Sequence, residues 1–326
     1  MTARILLPVC ERPQPTLAAM VLSTLLTVVR GFAMGAADIV PGVSGGTIAL
    51  VFGIYERLIA SVKAGSSALG HLVKGDLEGF KRWFGTVEWS FILPLLGGIA
   101  LAIISLAHLI ETLLHDEPVL MAAVFLGLVA GSVVIAVGLI QERHAVHLWI
   151  AIGVGIVVFV MLGFRGGTSE DTVAQATDPA LLAFFIAGAI AICAMILPGV
   201  SGSFLLVVLG MYEPVLSAVT DRDLAPLAVF MVGAVVGLAL FSQVLHWALQ
   251  HHHDVVMARL IGLMAGSVRV LWPWPNGVFT TELGKPDSDV VPAIILAVVA
   301  FILVWWVSGI AQRLAASEAA ASESPS

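Results

Sequence analysis

Charge is what this sequence has least of. Only 11% of its residues are Asp, Glu, Lys or Arg, about half the share of an ordinary soluble domain. That excludes a water-soluble globular protein. Basic tracts are missing too, and the net charge is −7, so nothing offers a nucleic acid a binding surface. The two cysteines, Cys10 and Cys193, stand far apart, and no disulfide framework is expected. Residues 1–16 carry Arg4, Glu11 and Arg12 with only a scrap of apolar sequence. They do not read as a cleaved signal peptide.

Apolar sequence is what is abundant: 59% of residues are hydrophobic and the mean hydropathy is +1.04. Runs near the length of a membrane-spanning helix recur along the whole chain. The strands of a membrane barrel would alternate in polarity, and these runs do not. The expectation is an all-α polytopic membrane protein. Runs at 17–37, 48–62, 91–114, 119–140 and 146–164 form a first half. Runs at 180–197, 204–219, 227–249, 255–271 and 290–310 form a second. The predicted divisions are a cytoplasmic segment at 1–16, halves at 17–165 and 180–311, a connector at 166–179 and a disordered tail at 312–326. Residues 63–88 read as a polar loop, and the Trp272 and Trp274 loop suits a membrane interface.

One short sequence occurs twice. Pro41-Gly42-Val43-Ser44-Gly45-Gly46-Thr47 leads into Gly53-Ile54-Tyr55-Glu56. Pro198-Gly199-Val200-Ser201-Gly202-Ser203 leads into Gly210-Met211-Tyr212-Glu213, at an offset of 157 residues. A second echo, residues 125–132 against 260–267, has an offset of 135. The 22-residue difference is the extra loop of the first half. Each half is a motif pair followed by three further helices.

With a cytoplasmic N-terminus, Arg4, Arg12, Lys63, Lys74, Lys81, Arg82, Arg143 and Arg313 fall inside. Arg165, Arg222 and Lys285 fall outside among acidic residues. That is a positive-inside bias, and it places both termini in the cytoplasm. An odd number of elements per half makes the halves inverted, the plan of many secondary transporters. Whether the motif elements cross fully or are re-entrant stays open.

Pro-Gly-Val-Ser-Gly breaks a helix, and in hydrocarbon a broken backbone must be buried in protein or line a cavity. The helix that follows offers unpaired amides and a positive dipole end. Gly42, Val43, Ser44, Gly45, Gly46 and Thr47 in one copy would bind an anion such as phosphate, as would Gly199, Val200, Ser201, Gly202 and Ser203 in the other. The competing explanation is a packing kink where helices cross closely. Arg30 and Asp38 lie eight residues apart in the first apolar run, on one helix face. Arg30 would hold the anionic head group or neutralise an acid. Glu56 and Glu213, beside Tyr55 and Tyr212, each follow the motif proline by 15 residues. As buried carboxylates they would gate or carry a coupling proton; as interfacial residues they would only end a helix. The first copy, with Arg30, Asp38 and Thr47, is the expected phosphate binder, and the second closes over it.

Other patterns carry less. Gly42-Val43-Ser44-Gly45-Gly46 fits G-x-S-x-G, but its context is helical and the second copy breaks the pattern at Ser203. No Gly-Lys-Ser/Thr follows to make a nucleotide loop. The run His251–His252–His253 reads as a solvated turn rather than a metal site. No cofactor or metal is expected.

The stretch from Arg30 to Thr47, with Gly53-Ile54-Tyr55-Glu56 and the second copy, resembles the signature of a bacterial family of undecaprenyl-phosphate translocases. The resemblance runs from about Leu17 to Ile310. It implies a flippase, not an enzyme, in the bacterial cytoplasmic membrane. Such a protein returns the lipid carrier to the cytoplasmic leaflet for reuse in peptidoglycan and other envelope polymers. The polyprenyl phosphate is then the partner, its tail in the bilayer and its phosphate on Arg30 and the motifs. Oligomeric state stays open. So do two other classes, a secondary transporter of a small soluble anion and a membrane enzyme acting on a lipid phosphate. The enzyme lacks a visible acid–base or metal set.

Overall fold

The computed structural model describes residues 17–39, 44–142, 144–164, 176, 179–287 and 289–323. The segment 1–16, Gly42, Val43 and nearly all of the connector lie outside them. Among the described residues there are thirteen α-helices and no strand.

In the first half, α1 (Leu17–Asp38) runs up to the first motif, and α2 (Gly45–Val51) and α3 (Tyr55–Val73) follow it. Then come α4 (Leu77–Thr86), α5 (Trp89–Asp116), α6 (Pro118–Val137) and α7 (Ala145–Gly163). The second half holds α8 (Leu181–Ile196), α9 (Gly202–Val208), α10 (Tyr212–Thr220), α11 (Leu224–His251), α12 (His253–Ser267) and α13 (Val290–Glu323). Among the described residues six helices are long and apolar enough to cross a membrane: α1, α5, α6, α7, α11 and α13.

The motif helices do not cross. Both α2 and α9 have seven residues, about 10 Å of helix against a hydrocarbon core of roughly 30 Å. Each ends on a glycine in the left-handed region, Gly53 at φ 66° and Gly210 at φ 67°. Only glycine takes that turn without steric cost. Neither motif helix is long enough to span by itself.

The two halves repeat one set of pairings. Helix α1 packs on α5 as α8 packs on α11, and α6 packs on α13 as α12 packs on α7. The close approaches repeat as well. A Cβ on Gly98 would stand 2.1 Å from the Val28 carbonyl oxygen, and one on Gly233 2.0 Å from that of Phe185. One on Gly127 would stand 2.1 Å from the Ala297 oxygen, and one on Gly262 2.6 Å from that of Ala151. Both glycine pairs are 135 apart. Such backbone-to-backbone contact is how helices associate in lipid, where the hydrophobic effect gives little. Gly98→Val should therefore destabilise the protein by about 1–3 kcal/mol. Its neighbour Gly97, where a Cβ meets nothing within 4 Å, should accept the same change. Thermal unfolding of the two variants in detergent checks this.

The central core joins both halves. Met34, Leu50, Ile54, Tyr55 and Leu95 from the first pack with Leu245, Met257, Leu260 and Met264 from the second. The described residues of the first motif, Ser44 to Thr47, thus sit inside the molecule.

Three expectations change. Residues 63–88 are not a loop: α3 continues to Val73 and α4 follows. Asp76 caps α4 by accepting from the Gly79 amide at 2.8 Å, and Phe80 and Phe84 turn toward Leu69 and Leu72 on α3. The tail expected from composition is helical to Glu323, as its alanines and glutamates favour. Trp274 is buried against Ala123 and Ala293 rather than left at an interface.

Candidate functional site

The structure brings the two motif copies into direct contact. Helix α8 ends at Ile196, which leaves its last carbonyls without helical partners. First-half side chains take them. Ser44 Oγ donates to the Met195 carbonyl at 3.0 Å, and the Tyr55 hydroxyl donates to that of Ile196 at 3.2 Å. In the reverse sense the Gly199 amide donates to Thr47 Oγ1 at 3.1 Å. Thr47, Ser44 and Tyr55 are all buried, so each bond replaces an otherwise unsatisfied group. Gly199 holds φ 80°, and its Cα faces the backbone of Met264 on α12.

The amides at the start of α2 were expected to be open to an anion, and they are already taken. Asp38 Oδ1 accepts from the Gly45 amide at 2.6 Å. Ser44 Oγ accepts from the Gly46 amide at 3.1 Å, and the Ser44 carbonyl from that of Thr47 at 2.9 Å. The reason is local: α1 stops at Asp38, and its carboxylate reaches the positive end of α2. A negative group thus stands at the amide position that suits a phosphate. In the second copy Ser201 and Ser203 share a hydrogen bond at 2.8 Å. Gly202 opens α9 beside the Met195 side chain. Arg30 lies half-buried on α1, about 12 Å of helix before Asp38, and is itself engaged in an interaction.

Glu56 and Glu213 were left between a buried, gating role and an interfacial one, and both are exposed. Each is the second residue of a helix that begins after the glycine turn, where a carboxylate complements the helix dipole. Their tyrosines differ: Tyr55 is buried and Tyr212 half-buried. Glu213 and Tyr212 are both engaged in interactions.

Glu56 has a partner that the sequence hid. Its Oε1 lies 3.0 Å from His253 Nε2, and His253 Nδ1 lies 2.9 Å from Asp254 Oδ1. Asp254 in turn accepts from the amides of Gln141 and Glu142 at 3.0 and 2.8 Å. The chain of contacts ties α3 to α12 and to the α6–α7 connection. Beside it is a cavity of about 420 Å³ lined by Tyr55, Glu56, Arg57, Gln141 and His253 together with Leu50, Leu139 and Met257. Arg57 pairs with Glu88 at 2.6 Å and covers the Phe91 ring at 4.2 Å. Read alone, His253 was one of three histidines in a solvated turn. A better signal was available: the chain has two tyrosines, and they are Tyr55 and Tyr212.

The hydrogen bond from His253, with those from the two amides, holds the Asp254 carboxyl at about 2, against an ordinary 3.8. A depressed pKa stabilises the fold above the unfolded value and loses that contribution as pH falls. The contribution is then complete above about pH 4 and lost as pH falls through about 2. Asp254→Ala should lower the thermal midpoint by ~2–4 °C at neutral pH. The gap from wild type should close between pH 4 and 2, which a pH series of melting curves in detergent measures.

The second motif also lines a groove of about 310 Å³ between α7, α9 and α12. Its walls are apolar, with Val158, Met161, Leu205, Val208 and Leu263 around Gly199, Val200 and Ser201. Met161 and the nearby Val157 are exposed on α7, so this wall faces outward from the bundle.

A family profile described as undecaprenyl phosphate translocase-like matches residues 34–285. The chain belongs to that family. A relative from Vibrio cholerae serotype O1, named polyprenyl-phosphate transporter, is 40% identical over 263 residues, 79% of this chain and 80% of that protein. One of the same name from Staphylococcus aureus is 30% identical over 258 residues, 76% of this chain and 86% of that one. No solved structure matches the chain. The match covers both motif copies, α1 from Met34 onward and the helices between.

Proposed function

We propose that this protein is a flippase that returns undecaprenyl phosphate from the outer to the cytoplasmic leaflet of a bacterial plasma membrane. The carrier is then reused in peptidoglycan and other envelope polymers. The protein moves its substrate without chemical change. The observation that carries this reading is the apolar groove that ends on the second motif. A lipid substrate needs a lateral opening for its tail beside a polar place for its head. A soluble anion needs neither an apolar wall nor access from the bilayer.

The phosphate site lies at the junction of the two motifs. The amide of Gly45, now bonded to Asp38, is the group a lipid phosphate takes over, with Ser44, Thr47, Ser201 and Ser203 as hydroxyl donors and Arg30, two turns back along α1, as the cation on its path. Asp38 is then a resident anion that holds the site closed until the substrate displaces it. The halves are inverted with respect to each other and rock about this junction, which exposes it to each leaflet in turn. The three hydrogen bonds between the copies are what such a motion must break. Both termini are cytoplasmic in this arrangement.

Proton coupling belongs to the same proposal, with Glu56 and His253 as the exchanging pair at 3.0 Å and Glu213 in the second half. Transport by reconstituted protein should then respond to an imposed pH gradient, and an indifferent rate counts against coupling. The recycling role is tested in cells by labelling undecaprenyl phosphate at the surface. Arg30→Ala or Glu56→Ala should raise the outward-facing pool severalfold, and an unchanged pool contradicts the reading.

A further inference from the structure

The cavity beside Glu56 runs from the surface of the protein to the motif junction. Glu56, Arg57 and Gln141 in its lining are exposed, whereas Leu50, Tyr55 and Met257 are buried. The buried wall belongs to the junction. Leu50 lies on α2, the helix of the first motif, and the Tyr55 hydroxyl donates to the Ile196 carbonyl just before the second motif.

Two lining side chains can donate to an anion, and each now faces a carboxylate that it can give up. Arg57 Nε and Nη2 both reach the same oxygen of Glu88, at 2.7 and 2.6 Å. That contact leaves the forked geometry of the guanidinium unmatched, whereas a phosphate presents a pair of oxygens to the fork. His253 faces Glu56 with Nε2 and Asp254 with Nδ1. Carboxylates only accept, so both ring nitrogens act as donors here. The Glu88 and Glu56 side chains are 47% and 64% exposed, and ion pairs that open to water contribute little. Arg57 does not depend on Glu88 for its place. Its guanidinium lies 4.2 Å over the ring of Phe91, which is buried.

We infer that this cavity is a second station for the head group of an isoprenoid monophosphate, with the phosphate on Arg57 and His253 Nε2 in place of Glu88 and Glu56. The head group passes between this station and the motif junction, on the face that carries the α6–α7 connection and the α11–α12 turn. Arg57 is then a binding residue rather than one side of a surface ion pair. This inference rests on the transport reading above.

The test places a single thiol in the cavity. In full-length protein carrying Cys10→Ser and Cys193→Ser, a cysteine is introduced in the wall by Leu139→Cys or at the mouth by Gln141→Cys. Its reaction with a hydrophilic thiol reagent is timed in detergent. Farnesyl phosphate should slow the reaction at least fivefold, and farnesol or inorganic phosphate at the same concentration should leave it unchanged. Arg57→Gln should raise the half-protecting concentration about tenfold and Arg57→Lys should raise it less. Glu88→Gln should lower it severalfold, because the competing anion is gone. An Arg57 that only braces the fold would give two shifts of the same sign, since Arg57→Gln and Glu88→Gln break the same ion pair. Shifts of one sign, or none, therefore overturn the station. So does equal protection by farnesol or by inorganic phosphate. If farnesyl phosphate does not protect and the protein still moves polyprenyl phosphate between the leaflets of vesicles, the station is wrong and the transport reading stands. If it does neither, the transport reading itself falls.

Discussion

Gly199→Ala should cut transport at least tenfold and lower stability by about 2–5 kcal/mol. Two costs coincide at this residue. Its φ of 80° lies in the left-handed region, which a Cβ disfavours by roughly 1–2 kcal/mol. The Cβ would also stand 2.7 Å from the Met264 Cα and 2.9 Å from its nitrogen. Those are backbone atoms and cannot rotate aside. Relief requires moving the second motif away from α12, and the Gly199 amide then leaves Thr47 Oγ1, now 3.1 Å away. Gly53→Ala is the control. Its φ is 66° and a Cβ there meets nothing within 4 Å, so it carries the conformational cost alone, about 1 kcal/mol. Melting curves and flipping rates on both variants separate the effect of the backbone turn from that of the motif junction. Equal losses in the two would mean that the contact with α12 contributes nothing.

Asp38→Asn should tighten polyprenyl phosphate binding about tenfold and slow its turnover by a similar factor. The amide oxygen of asparagine can still accept from Gly45, since asparagine caps helices as well as aspartate does. The fold is therefore retained. What is lost is the negative charge that competes with the phosphate for the start of α2. Without it the substrate enters the junction more easily and the site no longer closes behind the departing head group. Asp38→Ala removes the acceptor of the Gly45 amide as well and should lower stability by about 1 kcal/mol. If Asp38→Asn binds the lipid more weakly than wild type, Asp38 holds the substrate rather than standing in its place.

Much of this was legible in the sequence. The apolar runs contain the six helices long enough to span, because a span needs length and apolarity. The doubled Pro-Gly-Val-Ser-Gly marked the breaks in the helices, since proline and glycine act locally. What was not legible depended on neighbours distant in the chain. Residues 63–88 looked like a loop because their charges were counted and the spacing of Leu69, Leu72, Phe80 and Phe84 was not. The amides of the first motif looked open because nothing in the sequence says that Asp38 folds back onto Gly45. Glu56 looked buried because its neighbours are apolar, yet it lies outside the core and faces His253, 197 residues away.

The central claim is that the paired motifs move a lipid phosphate across a bilayer. Its most direct test is the leaflet distribution of a fluorescent polyprenyl phosphate in proteoliposomes holding the full-length protein. Wild type should equilibrate the lipid between leaflets at least tenfold faster than empty vesicles, and Gly199→Ala should return the rate to background while phosphate trapped in the lumen stays there. A rate equal to that of empty vesicles, or efflux of trapped phosphate in place of lipid movement, would contradict it.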